Sequence, residues 1–195
     1  MIMQLQHTFG YDCEGLSSLI TENKLDPFLK KLVKLGKQQD PDLYDPLSFM
    51  GDGFEWFVEY FLKFYNGDHI LTYTADYEPN YDEDQGVDGF GISTLDGKRT
   101  FVQVKFKADP TCYLSAQNTP NLAHITAEAF NYQKTNDWEP NGKNVILITS
   151  CKGVHAKNPV RHVHVIHREL IERRVDNNVV FWDNLRSIVK EQYVN

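Results

Sequence analysis

The chain has 195 residues, 41% hydrophobic and 24% charged, with a net charge of −7. That length suits one domain with a substantial core, and the twelve Phe and ten Tyr argue against a disordered chain. No apolar run is long enough to span a bilayer, no leader-like segment opens the sequence, and the three cysteines (Cys13, Cys112, Cys151) are odd in number and widely spaced, so a reducing, cytoplasmic setting without membrane attachment is expected.

In chain order, a short helix is expected around Leu16–Thr21. A clearer one starts at Asp26-Pro27, read as an N-cap followed by proline at the first helical position. Gln38–Pro46 is rich in turn formers and reads as a loop. The strongest helix is FEWFVEYFLKFY, with Phe54, Phe57, Val58, Phe61, Leu62 and Tyr65 spaced as one buried face. Glu55 borders that face at roughly a right angle, and Glu59 lies at roughly 130° from its centre, so Glu59 is expected in solvent. His69–Ala75 reads as a strand, and the acidic stretch from Asp76 to Gly86 as a solvated loop without the ligand spacing of a calcium loop.

A hairpin follows, from Asp88 to Lys107, turning at Asp96-Gly97. Next come a helix over Asn121–Lys134, a buried strand over Asn144–Ser150, a strand over His162–Ile166 and a short helix near Arg168–Arg173. Val179–Phe181 reads as a strand, with Asp183 capping a last helix. This order implies an α/β or α+β chain with a mixed sheet flanked by helices.

Charge is uneven. Residues 1–96 hold 18 acids and 6 bases, a balance of −12, whereas residues 97–195 hold 9 acids and 14 bases, a balance of +5. A basic surface beside an acidic site is one reading, and unevenly solvated faces are the other. Phosphate contacts are expected from the basic half, with Lys107, Lys143, Lys152 and Arg161 as candidates. His162, His164 and His167 lack partners at zinc spacing, Cys112 and Cys151 read as buried or incidental thiols, and Ser115 and Ser150 lack a nucleophile elbow. No P-loop or dinucleotide fingerprint occurs, so no nucleotide cofactor is expected.

The hairpin concentrates the chemistry. Alternation along its second strand puts Gln103 and Lys105 on one face and Val102 and Val104 on the other, and Asp88 can reach the first face from the neighbouring strand. A carboxylate, an amide oxygen and an ammonium then converge. Magnesium takes hard oxygen ligands and often only one or two carboxylates, so Asp88, Gln103, the Val104 carbonyl and Glu55 form a candidate ligand set. Lys105 would reach the scissile phosphate or the attacking water.

These residues carry a resemblance. Gly51-Asp-Gly-Phe-Glu55, Gly86-Val-Asp88-Gly and Val102-Gln-Val-Lys105-Phe resemble the PD-(D/E)xK nuclease superfamily, above all its Mrr-like and Holliday junction resolvase-like members with a QxK motif. The resemblance implies a restriction endonuclease-like αβββαβ core over about residues 48–150, with an N-terminal helical extension (1–47) and a C-terminal strand and helix addition (151–195) in a single nuclease domain. It implies Mg²⁺-dependent DNA phosphodiester hydrolysis, with Mn²⁺ able to substitute. Asp88 becomes a metal ligand, Lys105 the catalytic lysine and Glu55 the helix acid. Gln103 stands where most members have Asp or Glu, and Val87 where many have proline. DNA is the implied partner, and a homodimer follows if both strands are cut. The alternatives are junction resolution, DNA repair, or an inactive nucleic-acid- or protein-binding member of the fold.

Overall fold

A computed structural model describes residues 19–43, 45–69, 71, 73–80, 86–115, 119, 124–136, 144–155 and 162–193. Its elements are α1 (Leu25–Gly36), α2 (Pro46–Phe64), β1 (Thr74–Pro79), β2 (Gly89–Ser93), β3 (Arg99–Lys105), α3 (His124–Asn136), β4 (Val145–Thr149), β5 (His164–Ile166), α4 (Arg168–Val175) and α5 (Val179–Tyr193). They form two compact units, one from the described residues of Met1–Phe57 and Glu169–Asn195, the other from those of Val58–Arg168.

The first unit is helical and built on aromatic packing. The Phe57 ring lies 5.0 Å from Phe28, 5.8 Å from Phe181 in an edge-on contact, and 6.1 Å from Trp182. Trp182 is fully buried, and its Nε1–H donates to the Val175 carbonyl at 2.7 Å, which satisfies the ring's polar atom inside the core. The start of α1 is capped from far along the chain: the Asp176 carboxylate accepts from Leu25 N–H at 2.9 Å. Lys24 at the N-cap position offers no side-chain bond, and Asp26 instead pairs with Lys30 at 2.7 Å. The expected Asp26 cap is therefore corrected.

Helix α2 begins at Pro46, well before the phenylalanine-rich segment. Asp45 is its cap, accepting from Ser48 N–H at 2.7 Å and Ser48 Oγ at 2.9 Å. These two bonds hold the Asp45 carboxyl below the usual carboxylate range. Along the middle of α2, Trp56 and Val58 are buried as well as Phe54 and Phe57, and Glu59 is only 3% exposed. The expectation that Glu59 faces solvent is overturned, because this stretch buries nearly its whole circumference. Glu59 keeps one oxygen on Lys63 Nζ at 2.6 Å, and its buried Oε2 has no hydrogen-bond partner among the described residues.

The second unit is an α/β arrangement around a mixed five-stranded sheet in the order β1-β2-β3-β4-β5. Strands β1 to β3 pair antiparallel, and β3, β4 and β5 run parallel. The step from antiparallel to parallel requires a crossover, which α3 supplies. Ile125 and Ala129 of α3 pack with Phe101 of β3 and Val145 of β4. Strand β4 is buried at every position, as its unbroken Val-Ile-Leu-Ile run requires.

Three further expectations are corrected here. The first strand covers Thr74–Pro79 rather than His69–Ala75, taking in part of the presumed acidic loop. Its register shifts between Ala75 and Glu78, and Asp76 adopts φ 51°, so this strand never shows a clean alternation. Val179–Phe181 opens α5 instead of forming a strand, and Asn178, not Asp183, caps it through Phe181 N–H at 3.1 Å. His162 has φ 60° and lies before β5, so it does not share a strand face with His164. The expected helix over Leu16–Thr21 and the start of the one at Asn121 fall largely outside the described residues.

Candidate functional site

The hairpin β2–β3 forms as its sequence predicts, with Ser93 N–H bonded to the Lys98 carbonyl at 2.7 Å and Gly97 at φ 69°. The turn is wider than the Asp96-Gly97 pair alone, spanning residues 94–97. At the open end, Asp88 N–H donates to the Val102 carbonyl at 2.9 Å. The Asp88 carboxylate then accepts from Val104 N–H through Oδ2. One side chain thus continues the ladder beyond the start of β2.

Two neighbours hold Asp88 there. Its carbonyl accepts from Asn80 N–H at 2.9 Å and from the Tyr77 hydroxyl at 3.3 Å. The Tyr77 ring reaches it only because residue 89 is glycine: a Cβ there would stand 2.3 Å from the hydroxyl. The Asp88-Gly89 pair is thereby a packing requirement as well as a motif.

Gln103 and Lys105 share a face of β3 with Phe101, the face that α3 covers. Gln103 is fully buried, and among the described residues neither Oε1 nor Nε2 has a hydrogen-bond partner. Its register neighbour on β4 is Leu147, which can offer it nothing polar. Leaving a buried amide unpaired costs about 1–3 kcal/mol, so its presence calls for an explanation. Lys105, at the strand end, is half-buried, and among the described residues its ammonium has no ion-pair partner. Val104 turns its N–H toward Asp88, and in an extended strand its carbonyl points to the same side.

The candidate ligand oxygens of Asp88, Gln103 and Val104 are one carboxylate, one amide oxygen and one backbone carbonyl. Among the described residues, no cluster of three or more His, Cys, Asp or Glu could hold a metal. A soft-metal or multi-carboxylate cage is thus not what these residues offer, whereas a hard cation that retains waters matches their donor chemistry. Glu55 belongs to the helical unit and is half-buried.

Thr149 and Ser150 fix the strand ends. The Lys105 carbonyl accepts from Thr149 Oγ1 at 2.8 Å and Ser150 N–H at 3.3 Å. Ser150 Oγ accepts from Lys107 N–H at 2.8 Å and donates to the Lys107 carbonyl at 3.1 Å. Ser150 therefore acts as a clasp rather than a nucleophile. Its signal was a Thr-Ser pair closing a buried strand, a pattern too common to stand out. Cys112 and Cys151 are disulfide-bonded across 39 residues, which corrects the reading of both as buried or incidental thiols: Cys151 is buried, but neither is a free thiol. Of the candidate phosphate contacts, Lys107 is half-buried beside the site strand and Lys152 is exposed, whereas Lys143 and Arg161 lie outside the described residues.

No family model matches the chain, and no curated protein matches it. Among solved structures it is similar to the MspJI restriction endonuclease in complex with a 27-mer oligonucleotide, at 13% identity and a TM-score of 0.41 over 85% of this chain. The chain spans about a third (35%) of the length of that endonuclease chain. No helix of the described residues is long and apolar enough to cross a membrane.

Proposed function

We propose that the chain is a Mg²⁺-dependent DNA endonuclease of the restriction endonuclease-like fold, with Mn²⁺ able to substitute. The observation that supports this reading is the Asp88 carboxylate on the N–H of Val104, the residue between Gln103, whose buried amide has no hydrogen-bond partner among the described residues, and Lys105.

Asp88, Gln103 Oε1 and the Val104 carbonyl would hold the cation. When bound, it supplies Lewis-acid polarisation of the scissile phosphate and a lowered pKa for a coordinated water. Asp88 contributes the negative charge that fixes the cation, and the Val104 bond orients its carboxylate. Lys105 places a positive charge where the phosphoryl oxygens gain charge in the transition state, a contribution of preorganised electrostatics. Its anchored backbone holds the stem of the side chain. Lys107, and with it Lys143, Lys152 and Arg161, would bind DNA phosphates, which fixes position without reading sequence. Glu55, named by the resemblance, is proposed as an additional acid, and a homodimer as the form that cuts both strands.

The replacement of a carboxylate by Gln103 keeps a second reading in view, an inactive member of the fold that binds nucleic acid. Incubating the chain with plasmid, branched and single-stranded DNA in Mg²⁺, Mn²⁺ or chelator separates them. Cleavage in either metal and none in chelator supports the nuclease. Binding without cleavage on every substrate supports the inactive reading.

A further inference from the structure

Strand β3 leads from Lys105 into the segment 106–115, whose residues 108–111 and Tyr113 are exposed. Such a segment has little buried surface to order it. It is tied instead to the segment after β4. The Ser150 clasp holds Lys107, and beyond it Lys152 N–H donates to the Cys112 carbonyl at 3.0 Å. Leu114 N–H donates to the Gly153 carbonyl at 2.9 Å, and His155 N–H to the Leu114 carbonyl at 2.8 Å. Asp109 closes a local turn on Thr111, which holds its carboxyl below the usual range.

The Cys112–Cys151 bond crosses the middle of this ladder, with Cα atoms 5.3 Å apart, inside the ordinary disulfide span. Cys151 is fully buried and Cys112 half-buried. Cys151 also packs with Leu114 and Leu147, and Leu147 is the register neighbour of Gln103. The bond thus ties the segment that follows the site strand to the neighbourhood of Leu147, the β4 register neighbour of Gln103. The bond lies among the hydrogen bonds that pair this segment with residues 150–155, outside the β1–β5 ladder, so opening it loosens that pairing without dismantling the sheet.

We propose that Cys112 and Cys151 form a reversible redox clamp that orders segment 106–115 and thereby tightens DNA binding at the adjoining site. The role in DNA binding rests on the nuclease reading above; the ordering of the segment does not. The oxidant is a small-molecule disulfide of the glutathione class. The Cys112 thiolate attacks it, forming a mixed disulfide and releasing one small thiolate. The Cys151 thiolate then attacks the Cys112 sulfur, closing the clamp and releasing the second. Two protein thiols have lost two electrons and two protons, and one small disulfide has become two thiols. Reduction reverses the sequence at Cys112, the less buried of the two cysteines. In a reducing compartment such a pair rests open and closes under oxidative stress.

The test equilibrates the full chain in glutathione buffers from fully reduced to fully oxidised. Alkylation with peptide mapping quantifies the pair separately from Cys13. Hydrogen exchange is followed at the Lys107, Leu114, Lys152 and His155 amides, and cleavage of a DNA duplex in Mg²⁺ is followed as KM and kcat. The expected result is closure of the pair across the series, slower exchange at those amides, and a KM lower by at least about fivefold at constant kcat. Slower exchange on closure with no cleavage in any buffer upholds the clamp and sinks the nuclease reading. Two overturning results are open thiols in every buffer and a closed bond that changes neither exchange nor KM. Cys112→Ser must abolish the redox response in all three readouts.

Discussion

The Asp88 carboxylate accepts from the Val104 backbone N–H, so a side chain takes the place of a backbone partner exactly one step past the paired part of β2. The same carboxylate is thus both a strut for β3 and the charged centre of the candidate site. Those roles separate by mutation. Asp88→Asn keeps an acceptor oxygen for Val104 and should unfold within about 0.5 kcal/mol of the wild type, whereas Asp88→Ala should lose about 1 kcal/mol in chemical denaturation. Equal losses for both variants would mean that the Val104 bond contributes nothing.

Gln103 should behave as a residue kept for function at the expense of stability. Gln103→Leu removes a buried amide that has no partner among the described residues and should be neutral or stabilising by up to about 1–3 kcal/mol. Its cleavage should fall by at least about tenfold. Gln103→Glu should be less stable than wild type in chelator and recover part of that loss when Mg²⁺ is added. A marked destabilisation of Gln103→Leu would show that the amide has a structural partner.

His164 sets a pH dependence. Burial pushes its imidazole below the ordinary value of 6.5, a hydrogen bond with the Leu71 backbone opposes this, and His167 nearby adds to the lowering. The unfolded chain therefore takes up the proton first. Stability is unaffected above pH 6.5 and is lost as pH falls from there through the depressed folded-state value. Unfolding midpoints at pH 7.5 and pH 5.5 should show a smaller drop for His164→Gln than for wild type, and identical drops would refute the assignment.

How much of this was legible in the sequence depended on whether the signal was local. The hairpin declared itself through Asp96-Gly97 and the alternation of its second strand. Helix α2 did so through its phenylalanine spacing, although Gly51 and Gly53 disguised its first turns and Asp45-Pro46 went unread as a cap. Strand β1 was misplaced because its bulge breaks the period that a strand is recognised by. Helix α5 was missed at its start because Val179 and Val180 favour strands, yet the spacing of Trp182, Leu185 and Val189 was helical, and all three are buried. Helical phase assigned Glu59 to solvent, and phase fails where a helix is buried on nearly every side. Contacts distant in sequence, such as Asp176 on Leu25 and Cys112 on Cys151, leave no local trace.

The remote cap is itself testable. Asp176→Ala should cost about 1 kcal/mol by leaving Leu25 N–H without its acceptor, and Asp176→Asn should restore most of it. Asp26→Ala, which removes the solvent-facing pair with Lys30, should cost a few tenths of that. The reverse ranking would place the cap at Asp26 after all.

Single-turnover cleavage of a DNA duplex in Mg²⁺ by wild type, Asp88→Asn and Lys105→Met, with circular dichroism verifying that all three are folded, tests the central claim most directly. The account predicts cutting by wild type alone, with each variant slower by at least about 100-fold and no cutting in chelator. Equal cutting by the wild type and both folded variants would contradict it, and would move the active site elsewhere in the chain.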